Sequence, residues 1–469
     1  MDRERSAKLI RWAPATLAVV LGAALLVWLA WGPDTRLGLR VPGADSVPGG
    51  EGGSSSNAVL AGKLVRSGGT AADLPGEWLG FRGGNRDGIS TGKTSLARSW
   101  TGGSPRELWS VDVGEGYAGA AVWAGRVYLM DYDRDQKQDA LRCLSLGDGK
   151  EVWRYSYPVR VKRNHGMSRT VPAVNGKLVV AMGPKCHVVC LDASSGELKW
   201  GIDLVRQFGT TIPPWYAGQC PLIDEGKVIL APGGPEALLV AVEGETGRVL
   251  WQTPNPDGWK MTHSSVMPMD FDGRRFYVYC ANLGVVGVSA TNGAIAWQTK
   301  DWKISIATVP SPVVLPEGRL FLSGGYNAGS LMLQLGKNGG GLTAKTLFKL
   351  DADTFGATQH TPILFGDHIY GIRPDGRLVC LTTEGKVAWA SEPTRNFGLG
   401  PFLIAQGLIY ALSESGELCL VEANPSQCTV LAAAHVLHGR EAWGPMSLAG
   451  GRLLARDLTR LVCLEVGSP

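Results

Sequence analysis

A short segment ending in tryptophan recurs along this chain roughly every 45 residues. Its best copy, LDASSGELKW, fills residues 191–200 and places an Asp/Ser/Gly turn before the aromatic residue. The tryptophans in this position are Trp109, Trp153, Trp200, Trp251, Trp297 and Trp389, and Phe348 and Leu431 replace them in two divergent copies. A period of this length with strand-like content is typical of the four-stranded blades of a β-propeller.

Each copy contains the same succession of short apolar runs separated by tight turns. A proline-containing run comes first, a second follows a glycine turn, a third carries Cys-Leu or its equivalent, and the tryptophan run comes last. The 64 glycines and the low charged fraction of 19% suit turns between short strands. The first runs lie near Ala121, Pro172, Pro221, Val266, Pro312, Pro362, Pro401 and Pro445. This predicts an all-β, eight-bladed propeller of four-stranded antiparallel blades.

The two ends of the repeat region are each incomplete. The eighth copy ends at residues 462–465 without a tryptophan run, whereas the run PRELWSVDV at residues 105–113 has no blade before it. We therefore expect the N-terminal run to supply the outer strand of the last blade and to close the ring, because closure leaves no open sheet edge. The repeated tryptophans would pack between neighbouring blades, which is a structural role.

The first 31 residues have the pattern of a targeting segment. Residues 12–31 carry no charge, and a helix of this length spans a hydrocarbon core of about 30 Å. The basic residues that precede it are Arg3, Arg5, Lys8 and Arg11. We predict a cytoplasmic tail at 1–11 and a transmembrane signal anchor at 12–31 of a single-pass bacterial inner-membrane protein, with everything after it periplasmic or otherwise extracytoplasmic. A cleaved secretory signal is the alternative.

The segment after this anchor differs sharply from the repeats. Residues 32–76 contain PGGEGGSSS and SGGTAAD with little apolar periodicity, which predicts a flexible linker before a propeller at 77–469. The net charge of +4 is small for 469 residues. A nucleic-acid-binding protein needs a much stronger basic bias, so we expect no nucleic-acid partner.

The repeat, best seen in CLDASSGELKW at residues 190–200, resembles the tryptophan-docked blades of the quinoprotein alcohol dehydrogenase-like superfamily. The lead-in WLGFRGGNRDG at residues 78–88 is similar to the WxxFRGxNRDG opening of exported bacterial PQQ-binding-like repeat proteins. The resemblance covers residues 78–469. It implies an eight-bladed propeller of a superfamily that includes both PQQ-dependent dehydrogenases and the non-enzymatic, BamB-like propeller of the outer-membrane barrel-assembly complex.

For the enzymes of this superfamily, the resemblance implies PQQ with calcium in the central funnel, beneath a vicinal disulfide. This chain has no adjacent cysteine pair and no Cys-x-x-Cys-His haem motif, and no motif in it matches the calcium ligands or the catalytic base. We therefore assign no catalytic residue. We expect a membrane-tethered binding scaffold that engages another envelope protein or a small ligand, and the alternative is a PQQ- and calcium-dependent alcohol or sugar dehydrogenase with a divergent site.

The loops that lead into the first strand of each blade are rich in aromatic and polar residues. In a propeller these loops surround one mouth of the central channel, where aromatic walls with convergent polar groups are typical of a ligand site. Our candidates for ligand or partner contacts are Tyr117, Arg169, Trp215, Trp259, His263, His360 and Trp443. Alternatively, the aromatic residues cap the core and the polar atoms satisfy loop backbones.

Two further groups of residues suggest other chemistry. Asp131, Asp133 and Asp135 alternate as in a calcium loop, but the required glycine and the final glutamate are missing, which favours a solvated hairpin tip. Cys419 and Cys428 are the only cysteines that one hairpin would bring together, and their slight difference in register disfavours a disulfide.

Overall fold

The computed structural model describes residues 2–31, 57–339 and 341–468. The elements before the blades are the helix α1 (Asp2–Trp31), 3-10 turns at Ala58–Ala61 and Thr101–Gly103, and the strands β1 (Lys63–Arg66), β2 (Ile89–Ser90) and β3 (Arg106–Asp112). Within the described ranges, no helix combines the length and the apolar character needed to cross a membrane.

Eight antiparallel blades follow one another along the chain. The first four consist of β4 (Ala120–Trp123), β5 (Arg126–Asp133), β6 (Gln138–Ser145) and β7 (Glu151–Pro158); β8 (Ala173–Val174), β9 (Leu178–Met182), β10 (His187–Asp192) and β11 (Leu198–Asp203); β12 (Leu222–Asp224), β13 (Lys227–Leu230), β14 (Val240–Glu243) and β15 (Val249–Gln252); and β16 (Met267–Phe271), β17 (Arg274–Ala281), β18 (Gly284–Ser289) and β19 (Ile295–Thr299). A short helix, α2 (Leu204–Phe208), follows the second blade.

The other four blades have the same pattern. They consist of β20 (Val313–Leu315), β21 (Arg319–Gly324), β22 (Gly329–Asn338) and β23 (Gly341–Leu350); β24 (Ile363–Phe365), β25 (His368–Ile372), β26 (Leu378–Thr382) and β27 (Val387–Ala390); β28 (Phe402–Ala405), β29 (Leu408–Leu412), β30 (Glu417–Glu422) and β31 (Val430–His435); and β32 (Ser447–Ala449), β33 (Arg452–Arg456) and β34 (Arg460–Glu465) with β3. A 3-10 turn at Pro316–Gly318 interrupts the fifth blade. The predicted all-β propeller of eight four-stranded blades is confirmed.

The first strand of each blade lies innermost, where it meets the first strands of its neighbours. Contacts of this kind join β4 to β8, β16 to β20, and β32 of the eighth blade to β4 of the first. The eighth blade takes its outer strand from the N-terminal region. There β3 runs antiparallel to β34, from Arg106 opposite Glu465 to Asp112 opposite Arg460.

The repeated tryptophans bridge neighbouring blades. The Trp200 indole N–H donates a hydrogen bond of 2.7 Å to the Gly244 carbonyl in the turn of the next blade. The ring also covers Gly247 of that turn, where an added Cβ would stand 2.8 Å from the indole. Gly247 has φ +71°, a conformation that glycine adopts without strain. The Asp/Ser/Gly turn and the tryptophan of the repeat are thus the two sides of one joint between blades.

Part of the predicted linker, within residues 57–76, is ordered against the propeller. The strand β1 pairs antiparallel with β7 and adds a fifth strand to the outside of the first blade. Val59 is fully buried, and the Asn57 side-chain amide donates to the Gly201 carbonyl at 2.9 Å. A few apolar residues among small polar ones suffice here, because the blade edges supply the partner surface. Residues 32–56 of the predicted linker lie outside the described residues.

Candidate functional site

The loops before the inner strands surround a cavity of about 320 Å³ at one end of the ring, which we call the axial cavity. Its lining residues are Phe81, Tyr117, His165, Arg169, Trp215, Gly218, Cys220, His263, Ala307, Val309, Tyr326, Gln359, Trp443 and Pro445. Five of the seven residues predicted from sequence lie in this lining: Tyr117, Arg169, Trp215, His263 and Trp443. The structure therefore brings together side chains from the first, second, third, fourth and eighth blades.

One wall of the axial cavity is an aromatic and cationic stack. The Tyr117 and Trp443 rings are stacked with their centroids 5.1 Å apart, and the Arg169 guanidinium lies 5.1 Å from the Tyr117 ring centroid. The Tyr117 hydroxyl donates a hydrogen bond to the Glu441 carboxylate. Burial, followed by this hydrogen bond, raises the pKa of Tyr117 well above its usual range, so the phenol stays neutral. The stack holds three large side chains in fixed orientations.

Arg169 brings positive charge that forms no ion pair with a carboxylate among the described residues. One of its terminal nitrogens donates to the Asn164 carbonyl at 3.2 Å, while its buried Nε has no hydrogen-bond partner among the described residues. Burial lowers the pKa of Arg169 to about 10, so the guanidinium is still protonated at neutral pH. A buried cation with an unused donor favours an anionic group nearby.

The opposite wall carries Trp215 and His263, whose ring centroids are 6.5 Å apart. Burial, and then the nearby charge of Arg169, lower the pKa of His263 to about 4. The imidazole is therefore neutral at physiological pH. It offers a hydrogen-bonding group without adding charge.

Several residues around the cavity have left-handed backbone conformations that are unusual for side-chain-bearing residues. The φ angles are +56° at His165, +62° at Trp215, +56° at Tyr326 and +56° at Glu441. Such conformations cost on the order of 1–3 kcal/mol each and persist where surrounding structure enforces them. Three of these four residues, His165, Trp215 and Tyr326, line the axial cavity, so the surrounding loops hold their side chains in fixed positions there.

A smaller side pocket of about 80 Å³ adjoins the axial cavity and shares Phe81, Gln359, Trp443 and Pro445 with it. The sixth predicted residue, His360, lies in this pocket beside Phe402, at a ring-centroid distance of 6.3 Å. Burial lowers the pKa of His360 to about 4, so it too is neutral. The side pocket is otherwise mainly apolar, with Trp78, Leu403 and Met446 in its walls.

Trp259, the seventh candidate for ligand or partner contacts, lines neither cavity. Its side chain is 1% exposed and packs in the core shared by the third and fourth blades. Asn255 holds the loop, because its side chain binds both the N–H and the carbonyl of Trp259 at 2.9 and 2.8 Å. The absence of a Cβ at Gly284 leaves room for the indole, since an added Cβ would stand 3.0 Å from it.

Sequence reasoning missed two prominent lining residues. Tyr326 stands in the turn between β21 and β22, and its side chain is 39% exposed at the cavity mouth. The turns between second and third strands reach the same end of a propeller as the loops before the first strands, so Tyr326 lies at the same mouth. Phe81 belongs to the lead-in at residues 78–88. This segment occurs only once in the sequence, so the repeat pattern does not indicate where it runs.

The residues of the axial cavity do not fit a bound calcium ion. Calcium takes about six to eight oxygen ligands, mostly from carboxylates and carbonyls, whereas no aspartate or glutamate of the described ranges lines the cavity. Across the described residues, no group of three or more His, Cys, Asp or Glu side chains is placed to hold a metal. The aromatic walls and Arg169 would suit a planar anion. PQQ would therefore fit this lining better than the calcium ion that accompanies it in the PQQ-dependent dehydrogenases.

The weaker metal and disulfide candidates have other structural roles. Asp131 pairs with Arg142 at 2.8 Å and Asp133 accepts the Gln136 N–H at 2.8 Å, both on the hairpin of β5 and β6. All nine cysteines are free thiols. Cys419 is paired in register with Ala433 rather than with Cys428, which explains why this pair is not a disulfide.

Comparisons with known proteins agree with this architecture. The curated quinoprotein alcohol dehydrogenase PedH of Pseudomonas putida strain KT2440 is 25% identical over 175 residues, which is 35% of this chain and 28% of that enzyme. The solved structure of BamB from Moraxella catarrhalis matches with a TM-score of 0.52 and 14% identity, over 77% of this chain and 99% of that one. The computationally designed Ika8 protein matches with a TM-score of 0.51 and 10% identity, over 77% of this chain and 100% of that one.

These structural likenesses establish the fold, and the alignment with PedH spans too little of that enzyme to transfer an activity. The family model described as outer membrane protein assembly factor BamB extends further, because it matches residues 136–391. This range covers the second to the sixth blade and more than half of the chain. The chain therefore belongs to the BamB family of PQQ-like propeller proteins.

Proposed function

We propose that this protein is a binding scaffold of the bacterial envelope that holds a ligand, or a segment of another envelope protein, in its axial cavity. The observation that carries the proposal is the convergence of Tyr117, Arg169, Trp215, His263 and Trp443 on one cavity, whose described lining contains no carboxylate. Aromatic walls with a few fixed polar groups are the usual composition of a binding site. Membership in a family described as an assembly factor supports a protein partner.

The chemistry of the cavity indicates which group it would accept. Tyr117 and Trp443 offer stacked aromatic faces, and Trp215 offers another across the cavity. Arg169 contributes a cation with an unused N–H. We infer a planar apolar group that carries negative charge, such as an aromatic side chain next to a carboxylate in a partner polypeptide.

The proposal places the propeller outside the inner membrane, anchored through residues 12–31. Its basis is the uncharged sequence of that segment and the basic residues before it. Alkaline carbonate extraction of bacterial membranes tests the anchor, because an integral protein stays in the pellet. Release of the full-length chain into the supernatant would contradict it.

We also propose that the pairing of β3 with β34 closes the ring and keeps the cavity loops in place.

A PQQ- and calcium-dependent dehydrogenase is the second candidate, supported by the local similarity to PedH. The absence of carboxylates from the cavity lining weighs against calcium there. If PQQ binds, Arg169 would pair with its carboxylates and Tyr117 with Trp443 would cover its plane. PQQ would then supply oxidising power, and the lining would offer the imidazoles of His165 and His263 as proton acceptors.

Two measurements on the full-length protein separate these candidates. First, the melting temperature and alcohol- or sugar-driven dye reduction are followed with PQQ and calcium together. A ligand at 100 times its dissociation constant adds about 2.7 kcal/mol of stability. The scaffold proposal expects no dye reduction, and turnover that is abolished by Arg169→Met would establish the dehydrogenase.

Second, a photocrosslinking amino acid is placed at Tyr326 in living cells. Tyr326 is exposed at the cavity mouth, and Leu347 on the outer strand β23 is the matched control, at 49% exposure. We expect a discrete crosslinked protein from position 326 that is absent from position 347. The same crosslink should fall at least several-fold with Trp443→Ala, and an unaffected crosslink would show that the partner binds elsewhere.

A further inference from the structure

We propose that residues 78–90 form a plug inside the ring and that Phe81 on this plug sets the depth of the axial cavity. The inference rests on the proposed function, because it concerns which ligands the same cavity admits. It goes further by assigning selectivity for ligand length to one residue.

The contacts of the plug require it to cross the ring axis. The Leu79 carbonyl accepts the Val174 N–H of the second blade at 2.8 Å. Only three residues later, the Arg82 side chain donates to the Thr361 carbonyl of the sixth blade at 2.7 Å. The second and sixth blades stand opposite each other in a ring of eight. Three residues span at most about 10 Å of main chain, so the segment runs through the centre.

A second crossing follows within the same segment. Arg86 donates to the Pro221 carbonyl of the third blade at 3.0 Å, and the Gly88 carbonyl accepts the Ile404 N–H of the seventh blade at 3.0 Å. These two blades are also opposite each other. The strand β2 then continues along β28 as a parallel fifth strand. Two crossings in one short segment leave little open space along the axis at this level.

The plug is held by its own side chains as well as by the blades. The Arg82 guanidinium donates to four carbonyls, those of Arg86, Asp87, Thr361 and Pro362, at 2.7 to 3.0 Å. Burial lowers the pKa of Arg82 to about 9, so it still carries its charge at neutral pH. Gly88 has φ +82°, and an added Cβ would stand 2.7 Å from the Ile363 side chain. A segment with this many specific contacts is part of the ring interior.

Phe81 is the point at which the plug meets both cavities. Its ring lines the axial cavity and the side pocket, and the Arg86 guanidinium lies 5.7 Å from its ring centroid. Arg86 is 4% exposed, and two of its nitrogens, Nε and Nη2, have no hydrogen-bond partner among the described residues. Shortening Phe81 would therefore deepen the cavity towards a second buried cation. Longer anions should then bind better than they do in the wild type.

The test compares a short and a long aromatic dianion, naphthalene-2,6-dicarboxylate and p-terphenyl-4,4″-dicarboxylate. Their binding to full-length protein in nanodiscs is measured by calorimetry, with empty nanodiscs as the blank. We expect Phe81→Ala to raise the affinity ratio of the long over the short ligand at least tenfold, and Phe81→Leu to raise it less. Phe271→Ala is the matched control, since Phe271 lines neither cavity.

The outcomes separate this inference from the proposed function. An unchanged ratio in Phe81→Ala, with binding still lost in Arg169→Met, would overturn the role of Phe81 and keep the binding site. If the wild type binds neither dianion, the proposed ligand chemistry fails. Hydrogen exchange then tests independently whether residues 78–90 form a plug. The amides of residues 78–90 should exchange as slowly as those of the inner strands. Exchange at the rate of an open loop would overturn the plug itself.

Discussion

Burial determines the ionisation of several side chains in this propeller, and Asp139 shows the consequence for stability. Its side chain is fully buried between the first two blades, where the Tyr157 hydroxyl donates to Oδ2 at 2.6 Å and Oδ1 has no partner among the described residues. Burial raises the pKa of Asp139 to about 8. The carboxyl is therefore mainly protonated in the folded protein at neutral pH, whereas it is ionised in the unfolded chain.

Asp139→Asn should stabilise the protein more at pH 8 than at pH 4. Because the folded-state pKa lies above the unfolded value of 3.8, the wild type loses stability as pH rises from about 4 to about 8. The loss is at most about 1.4 kcal/mol per pH unit, and asparagine, which does not titrate, avoids it. Urea unfolding of both proteins across this range measures the difference.

The control for this residue is Asp135→Asn at the exposed tip of the hairpin between β5 and β6. That substitution removes one carboxylate without changing the buried site. We expect its stability profile to run parallel to that of the wild type. A parallel profile for Asp139→Asn as well would show that Asp139 is ionised in the folded protein.

At the scale of the elements, the joint between blades is a tryptophan set against the glycine of the next turn. Indole N–H groups donate across the joint from Trp109, Trp153, Trp200, Trp251 and Trp389, to the carbonyls of Leu146, Ser194, Gly244, Ala290 and Asn424. At the first four of these joints a turn glycine lies under the ring, namely Gly149, Gly196, Gly247 and Gly293, because a side chain there would meet the indole. The same joint repeated around the ring accounts for the period of the sequence.

Gly247→Ala should destabilise the protein by about 2–4 kcal/mol, more than Gly226→Ala does. Both glycines have positive φ, +71° and +76°, so alanine costs about 1 kcal/mol at either position. Only at Gly247 does the new methyl group also meet a ring, that of Trp200 at 2.8 Å, and overpacking adds about 1–3 kcal/mol. Guanidinium unfolding of the two variants measures this difference, and equal losses would show that the joint tolerates the extra group.

The blades were predictable from the sequence because each is a local pattern that occurs eight times. Runs of alternating residues, glycine turns and the tryptophan spacing specify a blade without reference to distant residues. The direction of a single loop side chain has no such signal. Trp259 and Trp215 both occur in aromatic-rich loops, yet Asn255 turns the first into the core while a left-handed backbone holds the second at the cavity.

The repeat pattern also could not predict the path of the N-terminal region, because that path depends on contacts that occur only once in the molecule. Val59 fits a groove at the outside of the ring, and Arg82 satisfies carbonyls of the sixth blade. Composition alone made residues 57–76 resemble a linker. Tertiary contacts with preformed blade edges outweigh that local preference.

At the scale of the whole molecule, the N-terminal region contacts most of the ring. It adds β1 to the first blade, runs through the centre as the plug, and supplies β3 to the eighth blade. The contacts of β3 differ from those of β1, since β3 replaces a strand that the eighth blade lacks while β1 supplements a complete blade. The ring should therefore depend on β3 far more than on β1.

Val111→Pro in β3 and Val65→Pro in β1 test this dependence with the same change in two strands. Proline removes a backbone donor and leaves a carbonyl of the neighbouring strand without its hydrogen bond, which costs about 1–3 kcal/mol. The unfolding entropy is about 2.1 cal/mol/K per residue, so for a propeller of roughly 400 residues 1 kcal/mol corresponds to about 1 °C, and Val111→Pro should lower the melting temperature by about 1–3 °C. Val65→Pro should lower it far less, because only the edge strand detaches.

Hydrogen exchange shows which part of the ring responds to each proline. If β3 closes the ring, Val111→Pro should speed exchange in β4 and β32 together, since these inner strands meet where the first and eighth blades adjoin. Faster exchange confined to β34, with β4 unchanged, would mean that the first blade is held without β3. In that case the contacts between inner strands alone would maintain the ring, and the N-terminal strand would serve only the eighth blade.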